Sequence, residues 1–448
     1  MLPISRRPAW WLLAPCVVLA ALYVQQYVSE DSIIANAQAA VAASALLLIL
    51  SASLVSVSAA LEVGRDRASR GMMEAAVRGK MAVAAARLWP SLVAGAIVQF
   101  VGILLLLGKA GSSPNSFPVL IAIGLLCALL FHAGIGIFLG TWMRPRFAVP
   151  LALAVSYLWL GFAWSFDFVP VRYLAGLALD GCCSPTKTID TAAVVALMVF
   201  SILGFISFVV LASGVSDRKL LPRGRANWLR VAAGMLTLVL ATSLGIFVAR
   251  DVAVNPVLPR PISETECSTT VPEVCLFPTQ LARGDTRQVY ADTFAALENQ
   301  GMPKVNKVIS ASTEQEPVLS KAGVANVVAA PGQSRRSALE SAASTYAVAL
   351  SYMQCPEDTS PDIYGWEEVL KVRSVQVAAQ QVLSPSERAG LPDASTLESI
   401  SIPGETNFSG QWDKLNRLDD ESQAQWAVAA YGQLSKCQLP EPVNVGTK

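Results

Sequence analysis

Seven apolar runs, each about 20 residues long, constrain this chain more than any other feature of its sequence. A helical stretch of that length spans the hydrocarbon core of a bilayer. The chain is 53% hydrophobic and only 15% charged, whereas soluble domains carry about 25% charged residues. The sequence therefore predicts an α-helical polytopic membrane bundle. Its spans are 10–28, 37–61, 88–108, 117–140, 147–166, 191–213 and 228–249.

Basic residues are distributed unevenly among the connections between these runs. The N-terminus and the connections 62–87, 141–146 and 214–230 hold 15 Lys and Arg residues, whereas 29–36, 109–116 and 167–190 hold three. Short connections rich in Lys and Arg stay in the cytoplasm. We therefore expect a multi-pass plasma-membrane protein with a cytoplasmic N-terminus and everything after residue 250 outside. The first run is too long for the core of a cleaved signal peptide, so we interpret it as a helix.

The apolar runs and the composition after residue 250 divide the chain into four parts. A six-helix membrane domain (1–213) is followed by a cytoplasmic loop with the seventh helix (214–250), a Pro-rich linker (251–262) and an extracytoplasmic domain (263–448). The last part is long enough for its own core. Helical patterns at 285–299, 334–353, 364–383 and 421–436, with β-prone pieces at 304–310 and 325–329, predict an α+β, mostly helical fold.

Cysteines outside the spans predict disulfides in the C-terminal domain. Cys267, Cys275, Cys355 and Cys437 would form two bridges in an oxidising compartment. Of three pairings we favour Cys267–Cys275 with Cys355–Cys437, because the first pair is local. Cys182 and Cys183 lie in the external connection 167–190. Adjacent cysteines rarely reach disulfide geometry with each other, so pairing across chains and the reduced state both stay open.

The chain has one histidine, His132. This excludes a Ser-His-Asp centre and a histidine zinc site from the C-terminal domain, and we expect neither enzyme activity nor a cofactor. His132 lies mid-span, either as a contact for a substrate or proton or as a neutral imidazole hydrogen-bonded to another helix. Gly136 and Gly140 form a GxxxG motif that lets another helix approach closely. No Gly-x-x-x-x-Gly-Lys-Ser/Thr motif occurs, so the chain has no P-loop of its own.

The connection 62–87 is the most basic segment in the first half of the chain. Within it Met73, Val77 and Met81 recur every four residues, and Glu74 and Arg78 lie an i,i+4 step apart. This spacing predicts a short basic amphipathic helix at the cytoplasmic face. Such a helix contacts either a partner protein or anionic lipid headgroups.

The layout resembles the membrane subunit of ABC-2-type exporters, in which six helices follow a cytoplasmic N-terminus. In that family a coupling helix between the second and third spans sits in a separate ATPase. Residues that match the loop are Glu62, Arg65, Arg70, Glu74, Arg78 and Lys80. Segment 167–190 matches the external hairpin before the sixth helix. The likeness covers about residues 9–213. The chain is similar to actinobacterial members that carry a C-terminal extracytoplasmic domain. The seventh span is a departure from the simpler members.

The resemblance implies a transport subunit that works with a separate ABC ATPase as a homodimer or heterodimer in the lipid bilayer, without a nucleic-acid partner. It implies that 68–83 is the ATPase-coupling helix, with Arg70, Met73, Glu74, Val77, Arg78 and Met81. The substrate stays open. The alternative hypothesis is a membrane-anchored sensor or assembly protein whose C-terminal domain binds a peptide or an envelope ligand.

Overall fold

The computed structural model describes residues 7–28, 33, 35–66, 80–111, 118–214, 225–281, 285–312, 323–348, 362–389, 391–392 and 407–443. The chain divides into two compact units, Met1–Leu258 and Pro259–Lys448. The predicted boundaries at 213, 250 and 262 are finer than this division and stay predictions.

The first unit is a bundle in which seven described helices are long and apolar enough to cross a membrane, the number that the sequence predicts. The side of the membrane on which each connection lies stays a prediction. The helices are α1 (Pro8–Tyr27), α2 (Ala37–Ala43), α3 (Leu48–Asp66), α4 (Lys80–Ala110), α5 (Val119–Trp142), α6 (Pro145–Ala163), the short α7 (Val169–Ala175), α8 (Thr191–Gly214) and α9 (Arg225–Val248).

The second span is interrupted, which the sequence pattern did not predict. Its helices α2 and α3 are separated by a 3₁₀ turn, Ser44–Leu47. In a 3₁₀ turn the backbone hydrogen bonds join residues three apart instead of four, so the hydrogen-bond pattern of the α-helix is broken there. The turn therefore divides the span into a short helix before it, α2, and a longer helix after it, α3.

Glycines determine how closely the central helices approach. A Cβ atom on Gly140 of α5 would lie 2.7 Å from the carbonyl oxygen of Ala60 in α3, and Gly136 is equally confined against Ser56. Gly134, on another side of α5, faces Phe205 and Phe208 of α8. Helices in lipid associate through van der Waals packing, which small residues allow at short range. The GxxxG motif thus packs α5 against α3 within this chain.

The segment that follows α9 contacts the segment between α6 and α8. Tyr173 of α7 donates a hydrogen bond to the carbonyl oxygen of Ala253 and another, of 3.0 Å, to that of Val254. The Asp190 amide donates to Pro256 at 2.7 Å. Strands β1 (Lys187–Ile189) and β2 (Val257–Pro259) form a two-stranded sheet. The first half of the predicted linker is therefore held in place by hydrogen bonds from the Tyr173 hydroxyl and the Asp190 amide.

The second unit contains a four-stranded sheet and five described helices. Its strands, in spatial order, are β3 (Glu266–Cys267), β4 (Glu273–Leu276), β5 (Lys307–Ile309) and β6 (Val324–Asn326). The first pair is antiparallel and the other two pairs are parallel. The helices are α10 (Thr286–Glu298), α11 (Arg335–Val348), α12 (Asp362–Val382), α13 (Phe408–Leu415) and α14 (Asp420–Leu434).

The helical and β-prone stretches predicted for this unit correspond to α10, α11, α12, α14, β5 and β6, with bounds that differ by a few residues. Strands β3 and β4 were not predicted, because strands of two to four residues are too short to show a period. Helix α13 was not predicted either. One apolar core joins strands and helices, with Phe294, Tyr346, Trp366 and Trp412 almost fully buried. The unit therefore has its own core.

Candidate functional site

The coupling helix predicted at 68–83 falls mostly outside the described residues. Arg70, Met73, Glu74, Val77 and Arg78 lie there. Met81 lies in the first turn of α4, which begins at Lys80 and continues without a break into the third span. The amphipathic helix with these six residues stays a prediction.

The described start of the basic connection is closely packed. Glu62, in the last turns of α3, is 8% exposed, and its Oε1 has no hydrogen-bond partner among the described residues. Two residues later, a Cβ atom on Gly64 would lie 2.7 Å from Cγ of Pro145, the first residue of α6. The C-terminal end of α3, at the start of the basic connection, therefore contacts the first residue of α6.

A buried polar cluster occupies the interruption in the second span. Gln99 of α4 is fully buried, and its Nε2 donates to the carbonyl oxygen of Ser44 at 2.8 Å and to Ser44 Oγ at 3.1 Å. Its Oε1 accepts a hydrogen bond of 2.9 Å from Ser51 Oγ. Polar groups in the hydrocarbon region must be satisfied by protein, so Gln99 stabilises the 3₁₀ turn. Sequence reasoning missed Gln99, although a glutamine within an apolar run was a visible signal.

His132 lies in the core of the bundle, as expected for a mid-span histidine. It is 1% exposed, and its Nδ1 has no hydrogen-bond partner in the described part of the chain. Its ring contacts Phe131 edge-on, with centroids 5.4 Å apart, and Phe131 belongs to an aromatic cluster with Trp159 and Phe200. Among the described residues, no group forms the hydrogen bond at Nδ1 that would make His132 a purely structural residue.

The paired cysteines of the segment between α6 and α8 correct an expectation from the sequence. The sulfur atoms of Cys182 and Cys183 lie within disulfide distance of each other, the pairing that the sequence argument disfavoured. Cys183 has a φ of 77°, a left-handed backbone conformation that few residues other than glycine adopt. That conformation is set by the surrounding fold and was therefore not visible in the sequence. Thr188 donates to Gln38 Oε1 at 2.9 Å, which joins this segment to α2.

Burial changes the acidity of two groups in the same segment. Burial raises the pKa of Tyr173 to about 12, so its hydroxyl stays a donor to the Ala253 and Val254 carbonyls at neutral pH. Burial also raises the pKa of Asp180, in the 3₁₀ turn Leu177–Gly181, to about 6. An ionised carboxylate in an apolar surrounding costs free energy unless it is paired.

In the second unit the local disulfide is present. Cys267 and Cys275 face each other on β3 and β4 and are bonded, as predicted. Cys437 is also disulfide-bonded, and its predicted partner Cys355 lies outside the described residues. Within those residues, Cys267, Glu273 and Cys275 form one group of possible metal ligands, with ligand atoms within 4.8 Å of one another. The disulfide uses both sulfurs, so the group does not fit a metal.

Polar side chains also lie at the carboxyl ends of the parallel strands, where α/β folds often bind ligands. Fully buried Gln280 donates from Nε2 to Ser310 Oγ and to the Ala329 carbonyl oxygen, both at 2.7 Å. Its Oε1 accepts from the Phe277 amide at 2.8 Å. These hydrogen bonds join the ends of the three strands through Gln280. Because both the oxygen and the nitrogen of its amide are hydrogen-bonded within the protein, Gln280 offers little to a ligand.

Comparison of the chain with protein-family models, with curated proteins and with solved structures finds no match.

Proposed function

We propose that this chain is the membrane-spanning subunit of an exporter driven by a separate ABC-type ATPase. Support comes from the basic connection between the second and third spans, from the seven membrane-length helices and from a sequence without a P-loop. The observation that carries the proposal is the packing at the start of that connection, where Glu62 is buried and Gly64 meets Pro145.

That packing offers a path for movement into the bundle. Helix α3 has 19 residues and is about 28 Å long at 1.5 Å per residue. At one end it joins the basic connection, and at the other it joins the turn Ser44–Leu47. A push on the connection would move α3 as a rod, and the turn would serve as its pivot. A 3₁₀ interruption within a helix often marks a hinge.

Contacts along the rod would pass this movement to other helices. Gly64 contacts the start of α6, while Gly136 and Gly140 hold α5 against Ser56 and Ala60. Helix α5 also carries His132, whose buried Nδ1 is open to a polar partner. Polar groups of this kind within spans often mark a substrate or ion pathway. The substrate class is not defined by these contacts.

The test is capture and activation of an ATPase by the full-length chain. Tagged protein in mild detergent is expected to bring down an ATPase with a P-loop and measurable ATP hydrolysis. The double variant Glu74→Lys/Arg78→Glu should lose both. A matched control is Arg336→Glu/Glu340→Lys, which reverses an i,i+4 pair in the second unit. Loss of capture in both variants, or no ATPase with the unaltered chain, contradicts the proposal.

A second candidate function is a membrane-anchored sensor or assembly protein. It is favoured by the separate core of the second unit and by the anchoring of residues 253–256 against α7 and Asp190. Deletion of residues 263–448 separates the candidates. An exporter subunit should still capture and stimulate its ATPase after the deletion, whereas a sensor would lose all activity.

A further inference from the structure

An open groove of about 910 Å³ lies where the fourth span turns into the fifth. Helix α5 ends at Trp142 and α6 begins at Pro145, so the turn is very short. The groove has a charged part, formed by Arg144 and Arg146, and an apolar part that includes Phe147, Leu151 and Ala154. Its volume lies within the usual range for small-molecule sites.

The charged part is formed by two positive side chains. Arg144 and Arg146 are exposed and take part in none of the ion pairs within the described residues. The Arg146 guanidinium lies over the Phe147 ring, 4.8 Å from its centroid. This cation–π contact fixes one side of the groove and leaves the guanidinium N–H groups available to an anion.

The apolar part lies on α6, which carries further exposed apolar side chains. Along α6, Phe147 is 57% exposed, Tyr157 55% and Phe162 62%. In a membrane span such exposed apolar side chains contact acyl chains. A soluble anion would use the arginines and leave the apolar half of the groove unfilled, whereas an amphiphile would fill both halves.

We propose that this groove binds an anionic phospholipid. The headgroup phosphate lies between Arg144 and Arg146, and one acyl chain runs past Phe147 and Leu151 toward Ala154. Guanidinium groups bind phosphate through paired, charge-assisted hydrogen bonds. The position at the end of two spans is the depth at which a bilayer presents its headgroup phosphates. A zwitterionic lipid would leave the two positive charges incompletely balanced.

The experiment measures lipid retention by the full-length chain in detergent, by native mass spectrometry, with phosphatidylglycerol and phosphatidylcholine as probes. Phosphatidylglycerol should be retained preferentially. The variant Arg144→Gln/Arg146→Gln should lower its apparent affinity about tenfold or more, as expected when two basic contacts to anionic lipid are lost. Arg144→Lys/Arg146→Lys should restore part of the loss. The control Arg172→Gln/Arg250→Gln removes two charges outside the groove and should have no effect.

A second variant keeps the test decisive if the arginine variant fails to fold. Ala154→Phe fills the apolar half with both arginines intact and should also lower phosphatidylglycerol retention. Three results would overturn the proposal. The first is equal lipid retention by all folded variants, and the second is displacement of the lipid by millimolar inorganic phosphate alone. The third is that a groove variant loses a dimer without any change in bound lipid. The last would mean that a second copy of the chain covers the groove.

Discussion

The side-chain amide of Gln99 donates a hydrogen bond of 2.8 Å to the backbone carbonyl oxygen of Ser44, a residue 55 positions away on another span. The same side chain accepts from Ser51, so one residue satisfies both sides of the 3₁₀ turn in the second span. In the proposed exporter this turn is the pivot of α3. Its stability therefore bears on both folding and movement.

Replacing Gln99 by Leu should destabilise the bundle by about 1–2 kcal/mol. Intramembrane hydrogen bonds contribute about 0.6 kcal/mol each on average, and Ser44 and Ser51 would both lose a partner. Thermal or denaturant unfolding in detergent would measure the loss. The control is Phe100→Leu, at the next position, where the ring is 51% exposed. Equal stability of the two variants would show that the cluster does not hold the turn.

Adding a methyl group at Gly136 should be costly. Gly136→Ala would place a Cβ atom against the backbone of Ser56, and rigid backbone cannot move aside as a side chain can. Overpacking of this kind typically costs about 1–3 kcal/mol. Gly161→Ala is the matched control, because nothing lies within 4 Å of a Cβ atom built there. A lower melting temperature for the Gly136 variant only is the expected result.

Cysteine connectivity is testable by peptide mapping. Alkylation in denaturant without reductant should label Cys16 and Cys127, the free cysteines among the described residues, and leave Cys182 and Cys183 unlabelled. The peptide with the vicinal pair should gain two alkyl groups only after reduction. Mapping should also recover Cys267 linked to Cys275, and it would test the predicted Cys355–Cys437 link. Labelling of Cys182 or Cys183 before reduction would contradict the structure.

Stability should depend on pH through Asp180. Its pKa rises from 3.8 to about 6 on folding because of burial, so the folded state binds the proton more tightly than the unfolded state. The stabilisation is therefore complete below about pH 4 and is lost as pH rises through 6. Since the carboxyl is partly exposed, the effect is about 1–2 kcal/mol after screening. Asp180→Asn should raise the melting temperature at pH 8 and leave it nearly unchanged at pH 4.

The control for this pH dependence is Asp251→Asn. The Asp251 side chain is 85% exposed, so its removal should leave the difference between the melting temperatures at pH 4 and pH 8 as in the unaltered chain. A difference that persists in the Asp180 variant would assign the effect to another group.

His132→Leu separates the two interpretations of the single histidine. With Nδ1 buried and unpaired in the described structure, removal of the imidazole should leave the unfolding free energy within about 1 kcal/mol of its original value. Loss of ATPase stimulation in the same variant would point to an intramembrane contact site. A loss of stability of more than about 2 kcal/mol would instead mean that the imidazole is bonded to a neighbouring helix.

Much of the local structure was predictable from the sequence. The number of membrane-length helices follows from the apolar runs, because hydropathy is a property of each segment by itself. Helices α10, α11, α12 and α14 were predicted for the same reason, since a long period is visible in one stretch of chain. The Cys267–Cys275 disulfide was also predictable, because its two cysteines are only eight positions apart in the chain.

The site residues depended on long-range geometry. The hydrogen bond between Gln99 and Ser44 requires a particular rotation of α4 about its axis. The contact of Gly64 with Pro145 requires a particular position of α3 along its axis relative to α6. The pairing of Cys182 with Cys183 occurs together with a left-handed backbone at Cys183. The sequence by itself determined which segments are long and apolar enough to span a membrane, because apolarity adds up along one segment. Only the tertiary structure decided which polar atoms and glycines meet, because that depends on the rotation and register of helices far apart in the chain.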